Sequence, residues 1–500
     1  MKENQSPVSP HPQNLLFKVV NNSAALMGGE LFYRFVNFFS CIMIARALGS
    51  EYYGQFSFIY AYLSFFEALV QFGMNPILVR RLSQEKENTG RVLGNAIVFR
   101  TALVAAAFPI VVLTAKFFGY PISVRQGLFL AYFQLFLTLR PIFETVFRIR
   151  LLMVYPAIWN GVRALLNLAL VALAASFHPA LPWFIATYFV SGIIALTGLA
   201  ISSQRLLPVD LRWDKKIMGE LVRDSAPLVV SAYLTLLCYR VDIFMLSFMK
   251  GFSEVGFYSV ATRFTEAVMM ISTALLSSFF PLIARAFKEN REEFDKVTHR
   301  AFMWFFLISL PMALGGFLVS RDVVKLFFGP TYATSGIVLS ILCFHIAFSF
   351  IASLGANILI ACGKQKTDMK ISFSLVFVNI GLNLLLIPFW GSKGSATAVV
   401  LTEMTGMFIY MAVIVRNPEI RLRFPWKELF LSLKINASLV AILFVLKYLG
   451  VPALFLIACG GIACVALWIG FKVLAFEDLK GYFSHTFRKN KNVFANESQA

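Results

Sequence analysis

Residues 231–248, SAYLTLLCYRVDIFMLSF, set Arg240 and Asp242 in the middle of an apolar run. A charge at the centre of a bilayer costs at least about 2.5–3.5 kcal/mol, so neither belongs against lipid. Two positions apart on a helix, they point to opposing sides, and each needs a partner on another helix, a bound ion or a wet cavity. Arg34, Arg100, Arg163 and Arg263 bring the arginines inside apolar runs to five, and Glu67, Glu266 and Glu403 add carboxylates. Glu30–Arg34 and Arg140–Glu144 are spaced i,i+4 and Arg263–Glu266 i,i+3, so local ion pairing competes with a functional role there. Arg100 and Arg163 have no such neighbour and lie about 12 Å and about 18 Å into their spans at 1.5 Å per residue. Arginine's planar fork holds phosphate oxygens bidentately, so this set suits a substrate with a diphosphate headgroup. A cationic cargo would call for uncompensated acids and aromatics instead. Asp242, Glu67 and Glu266 are candidates for coupling to H⁺ or Na⁺, since a carboxylate in a partly dry cavity can bind and release a cation as its surroundings alternate.

The elements that position these residues are membrane spans. The chain of 500 residues is 58% hydrophobic and 14% charged, with a mean hydropathy of +0.73. A soluble domain is nearer half apolar and a quarter charged. About 14 runs are long enough to cross a bilayer as helices, which takes about 20 residues each. They fall at 16–45, 53–76, 93–116, 122–145, 151–176, 181–202, 225–249, 255–284, 300–320, 332–362, 369–390, 394–416, 432–449 and 452–475. The chain is expected to be an all-α polytopic membrane protein. Even-numbered connections carry the cations, among them Arg80, Arg81, Arg91, Arg205, Arg212, Lys215, Arg285, Lys288, Lys364 and Arg421; odd-numbered ones hold few, such as Lys116 and Lys250. The positive-inside rule then puts both termini in the cytoplasm. This alternation also explains most of the net charge of +19, so nucleic acid is not an expected partner. Trp183, Trp390 and Trp426 read as interfacial anchors.

LGSEYYGQFS (48–57) after the first span is similar to KGFSEVGFYS (250–259) after the seventh. NPILVRR (75–81) matches FPLIARA (280–286), and ALLNLAL (164–170) matches GLNLLLI (381–387) through Asn167 and Asn383. Matches in one order at offsets of a little over 200 residues mark two homologous halves. Six spans separate equivalents, so the halves have the same orientation, an arrangement of transporters with the route between repeats. The expected organisation is a disordered tail over 1–14, six-helix halves over 15–210 and 211–416, an extra helix pair over 417–475 and a basic tail over 476–500.

No connection much exceeds about 20 residues, too little for a catalytic domain. CGKQK (362–366) lacks the upstream glycine and following Ser/Thr of a phosphate-binding loop, and no GxSxG occurs. The five histidines (11, 178, 299, 345, 485) have no metal spacing, and the six cysteines sit in or beside apolar runs as small hydrophobes. The sequence thus calls for no metal, no cofactor and no enzymatic activity.

LGSEYYGQFS, PILVRR, FFGPTYATSG (327–336) and GLNLLLIPFWGSKGSATAVVLTE (381–403) resemble the polysaccharide transporters. These are the O-antigen and exopolysaccharide flippases of the multidrug/oligosaccharidyl-lipid/polysaccharide exporter superfamily. The resemblance covers roughly 15–416. It implies an inner-membrane protein moving undecaprenyl-diphosphate-linked oligosaccharide from the cytoplasmic to the periplasmic leaflet by alternating access, from a cavity between two six-helix bundles. A monomer is expected, with glycan polymerase or assembly proteins as candidate partners and membrane lipid around it. The alternatives are an ion-coupled drug or cation antiporter of the same superfamily, a peptidoglycan-precursor flippase, and a membrane enzyme of glycan polymerisation.

Overall fold

The computed structural model describes residues 12–84, 88–177, 179–420, 422 and 425–471. Among these every regular element is helical: α1 (Pro12–Gln71), α2 (Met74–Gln84), α3 (Thr89–Phe117), α4 (Ile122–Tyr132), α5 (Arg140–Ile149), α6 (Val154–Phe177), α7 (Leu181–Gln204), α8 (Lys215–Met249), α9 (Phe252–Glu289), α10 (Arg291–Phe328), α11 (Ala333–Ala361), α12 (Gln365–Trp390), α13 (Ser392–Arg416), α14 (Trp426–Tyr448) and α15 (Ala453–Gly470). Twelve helical stretches are long and apolar enough to cross a membrane. The first of them holds two passes, divided within α1 at Gly49, and α8 with its 35 residues adds one more, which makes the expected fourteen. Gly49 has φ +73°, a conformation that interrupts the helix and that glycine adopts without a Cβ penalty. The tail expected over 1–14 is helical from Pro12; residues 1–11 and the basic tail 476–500 lie outside the described residues.

The fourth pass is less regular than its apolar pattern implies. It runs as α4, a 3₁₀ segment Phe133–Leu139, and α5. Pro141 has no N–H to give, so the tighter helix before it cannot return to α-helical bonding until the proline has been passed.

By contacts the chain forms two compact units. The first comprises 1–260 with 383–395, and the second 261–382 with 396–500. In the first unit α1 packs along α6 and α8, α4 against α7, and α2 against α5 and α8. Met74, Leu78, Leu93, Val146 and Leu221 form a buried apolar cluster that holds the start of α8 to α2, α3 and α5. Arg80–Asp224 (2.6 Å) and Arg81–Glu220 (2.8 Å) tie the same helices at their polar ends, which gives the paired arginines of NPILVRR a structural task. The linker 205–214 lies on the start of α3: a Cβ at Gly94 would come within 1.8 Å of the Asp210 carbonyl oxygen. Asn95 donates to the Arg212 carbonyl (3.0 Å) and accepts from the Asp214 backbone N–H (2.9 Å), while Asp214 caps α8.

Gly54 and Gly256, the glycines of the two similar motifs, meet each other. A Cβ at Gly54 would stand 1.8 Å from the Phe252 carbonyl oxygen, and one at Gly256 2.0 Å from that of Ser50. Each glycine therefore touches the turn preceding the other, as related elements do across a local two-fold. Small residues let helix backbones approach this closely.

In the second unit α10 packs along α11 and α14, and α14 against α15. Phe302, Phe305, Phe350, Leu354 and Ile414 fill the interior among α10, α11 and α13. Val319, Val323, Leu439, Leu443 and Leu456 hold α14 and α15 to α10. Trp183, Trp390 and Trp426 are all exposed at helix ends.

Candidate functional site

α1 presents Glu30, Tyr33, Arg34 and Asn37 at i, i+3, i+4 and i+7, a polar stripe on one helix face. Arg34 pairs with Glu30 at 2.8 Å, and both are exposed. Tyr33 lies under the Arg163 guanidinium of α6, 5.1 Å from ring centroid to Cζ. Asn37 accepts from the Tyr188 hydroxyl of α7 at 3.0 Å. Past the Gly49 break, Tyr60 of α1 accepts from Gln134 Nε2 at 2.7 Å, and Gln134 also donates to the Ile185 carbonyl. Phe56, Tyr60 and Tyr188 pack as an aromatic cluster with centroids 4.7–5.9 Å apart.

The charges of the first unit converge on this lining. Arg163 of α6 and Arg240 of α8 both lie within Coulombic range of Glu67. Arg140 of α5 pairs with Glu144 at 2.9 Å, hydrogen-bonds Asn160 of α6, and is in Coulombic range of Arg163, Tyr33 and Glu30. Arg163 makes no ion pair among the described residues. It is held by ring stacking, so its donor fork is not committed to a carboxylate.

Arg240 and Asp242 part company, as their spacing requires. Arg240 is half-buried on the Glu67 side. Asp242 is buried and accepts from the Tyr258 hydroxyl of α9 at 2.7 Å and from Asn383 Nδ2 of α12 at 3.1 Å. Three helices thus meet at one carboxylate. Asn167, the counterpart of Asn383 in the first half, is also buried and accepts from Ser191.

Arg100 has a different environment from that expected of a headgroup ligand. It is fully buried, and its donors go to backbone and amide oxygens: Thr138 O, Gln71 O (3.1 Å) and Asn75 Oδ1 (3.0 Å). Both carbonyls are orphans of helix breaks. The 3₁₀ partner of Thr138 O would be the nitrogen of Pro141, which carries no hydrogen. Gln71 O ends α1, where Phe72 and Gly73 take positive φ. The guanidinium replaces the donors the backbone lacks.

The second unit holds Arg263 and Glu266, paired on α9 at 3.1 Å, and Glu403 hydrogen-bonded to Ser349. The sequence reading therefore places four of its five arginines in the first unit and one in the second. It did not single out Tyr33, Tyr60, Gln134, Tyr188 or Tyr258. Tyr33 at i+3 from Glu30 and Tyr60 seven residues before Glu67 are what helical spacing could have found; for Gln134, Tyr188 and Tyr258, partners on distant helices leave no trace in spacing.

Comparison with known proteins gives this geometry a context. The family model described as polysaccharide biosynthesis protein matches residues 19–287, and the MatE model matches 227–385. The probable flippase AglR of Haloferax volcanii is 24% identical over 416 residues, covering 78% of this chain and 82% of that one. The putative O-antigen transporter of Shigella flexneri is 24% identical over 188 residues, 37% of this chain and 44% of that one. Among solved structures, the lipid II flippase MurJ in an inward closed conformation superposes with a TM-score of 0.73 at 14% identity, over 91% of this chain and 99% of that one. The fold is thus shared with that flippase and, at a TM-score of 0.64 and 14% identity, with a multidrug resistance MATE family transporter in an inward-facing conformation. With its model matching more than half of the length, the chain belongs to the polysaccharide biosynthesis protein family.

Proposed function

We propose that this protein is a flippase that carries a lipid-linked oligosaccharide, with a polyprenyl-diphosphate headgroup, from the inner to the outer leaflet of the cytoplasmic membrane. The observation that carries this reading is Arg163, stacked on Tyr33 in the interior of the first unit, near Glu67 and without an ion pair among the described residues. An arginine held this way costs energy in the empty protein and is repaid by an anion with two oxygens to offer. Arg240, beside Glu67, and Arg34, paired with Glu30, are further candidate headgroup ligands in the same unit, and Arg263, paired with Glu266, is the second unit's candidate. Arg100 supports the helices that shape the site. Relatives described as flippases and as an O-antigen transporter support the same substrate class, and their transporter fold supports transport over catalysis.

Coupling to an H⁺ or Na⁺ gradient is assigned to Asp242, whose carboxylate is reached by Tyr258 and Asn383, with Glu67 and Glu266 as further candidates. Both termini are assigned to the cytoplasm on the distribution of Lys and Arg, and the working unit is a single chain that hands its cargo to glycan polymerase or assembly proteins. The test is the sidedness of lipid-linked glycan in cells lacking the protein, labelled from outside with an impermeant reagent. Accumulation in the inner leaflet with loss of surface glycan is expected. Normal sidedness with intact surface glycan would overturn the proposal and favour an ion-coupled cation antiporter, the reading that the MatE match over 227–385 supports.

A further inference from the structure

Lys116 and Arg125 are exceptions to the charge alternation. Both flank the α3–α4 hairpin, on the cation-poor side, and the stretch 88–143 contains no acidic residue at all. Lys116 sits in the last turn of α3, where a cation favours the helix. Arg125 has no such reason: it sits in the first turn of α4, where a cation opposes the helix dipole. Both side chains are exposed, and neither makes an ion pair among the described residues.

These two cations line, at its hairpin end, an apolar groove of about 660 Å³ formed by α3 and α4 with Pro182 of α7, where Val111, Val112, Phe108, Phe129 and Tyr132 also face it. Phe108 lines it two turns further along α3 from Lys116, with ring centroids 4.9 Å from Tyr132 and 6.1 Å from Phe129. From Phe108 to Lys116 the helix rises about 12 Å, so the groove runs along the membrane normal with its charged end at the hairpin. An apolar lining with two cations at one end matches a molecule with an acyl chain and one phosphodiester.

We infer that this groove is a binding site for an anionic phospholipid of the phosphatidylglycerol type, in the leaflet opposite the Arg- and Lys-rich loops. The Arg125 fork and the Lys116 ammonium hold the phosphate oxygens, and one acyl chain lies against Phe108 and Phe129. A zwitterionic headgroup brings its own ammonium to the same place and is disfavoured. Nothing in this site depends on what the chain transports.

The test is native mass spectrometry of the full chain released from nanodiscs of equal phosphatidylglycerol and phosphatidylcholine. The wild-type protein should retain phosphatidylglycerol preferentially, and the preference should fall about fivefold for each cation removed in Lys116→Gln and Arg125→Gln. Val112→Phe, which leaves both charges and fills the groove, should lower retention of either lipid. An unchanged preference in the double glutamine variant, or none in the wild type, would refute the site. Displacement of the retained lipid by equimolar polyprenyl phosphate would equally refute it, since the groove would then belong to a carrier tail.

Discussion

Arg163 and Arg100 carry the same charge inside the same unit and serve opposite ends. Arg163 stacks on one aromatic ring and keeps its fork available, whereas Arg100 spends its donors on the carbonyls of Gln71 and Thr138. Arg163→Ala should reduce transport about ten- to a hundredfold, the worth of a charged hydrogen bond of about 1.5–3 kcal/mol. Arg163→Lys should retain part of it, because the charge survives while fork and stacking are lost. Glycan reaching the outer leaflet at matched protein level decides this, and full transport by Arg163→Ala would remove it from the route. Arg100→Met should instead lower the melting temperature by several degrees, since each stranded carbonyl costs about 1–3 kcal/mol. Asp242→Asn keeps an acceptor for Tyr258 and removes the charge. The variant should fold normally and lose the dependence of transport on an ion gradient; a retained dependence would clear Asp242 of coupling.

At the level of elements, breaks and close approaches matter more than helix length. The Gly49 break divides α1 into two passes, while the 3₁₀ segment before Pro141 and the positive φ at Phe72 and Gly73 leave the carbonyls that Arg100 takes up. The Gly54–Gly256 crossing leaves no room for a methyl group on either helix. Gly54→Ala or Gly256→Ala should cost about 1–3 kcal/mol by overpacking, seen as a lower melting temperature in detergent. Alanine at the exposed Gly219, which has open space around its α-carbon, should cost nothing comparable and serves as the control. The linker clamp on α3 responds to pH. The Arg212 backbone N–H, with Arg91 beside it, holds the Asp210 carboxyl below its ordinary range. A lowered pKa means the contact stabilises at neutral pH and is lost only as pH falls through that lowered value, below about 3.9. The difference in stability between the wild type and Asp210→Asn should therefore be flat from pH 5 to 8 and shrink only in stronger acid.

For the whole molecule, the loop charges make a topological prediction. A cysteine at Gly119 should react with an impermeant thiol reagent added outside cells, and one at Pro208 should not; the described native cysteines other than Cys459 are buried and give little background. The reverse pattern would invert the orientation. Much of this protein is legible in its sequence: fourteen passes, from the length of apolar runs, and a repeated architecture, from motifs whose glycines touch in the fold. Hydropathy can deliver this because hydrocarbon demands a helix of fixed minimum length wherever the chain crosses it, whatever the neighbouring helices do. The separation of Arg240 from Asp242 followed too, since two residues on one helix have a fixed angle between them. The partners of those charges were not legible. That Arg240 lies within Coulombic range of Glu67, that Asp242 meets Tyr258 and Asn383, and that Arg100 serves two broken helices all depend on which helices lie side by side. Spacing along one helix says which way a side chain points, but only the packing of the others decides what stands there to receive it.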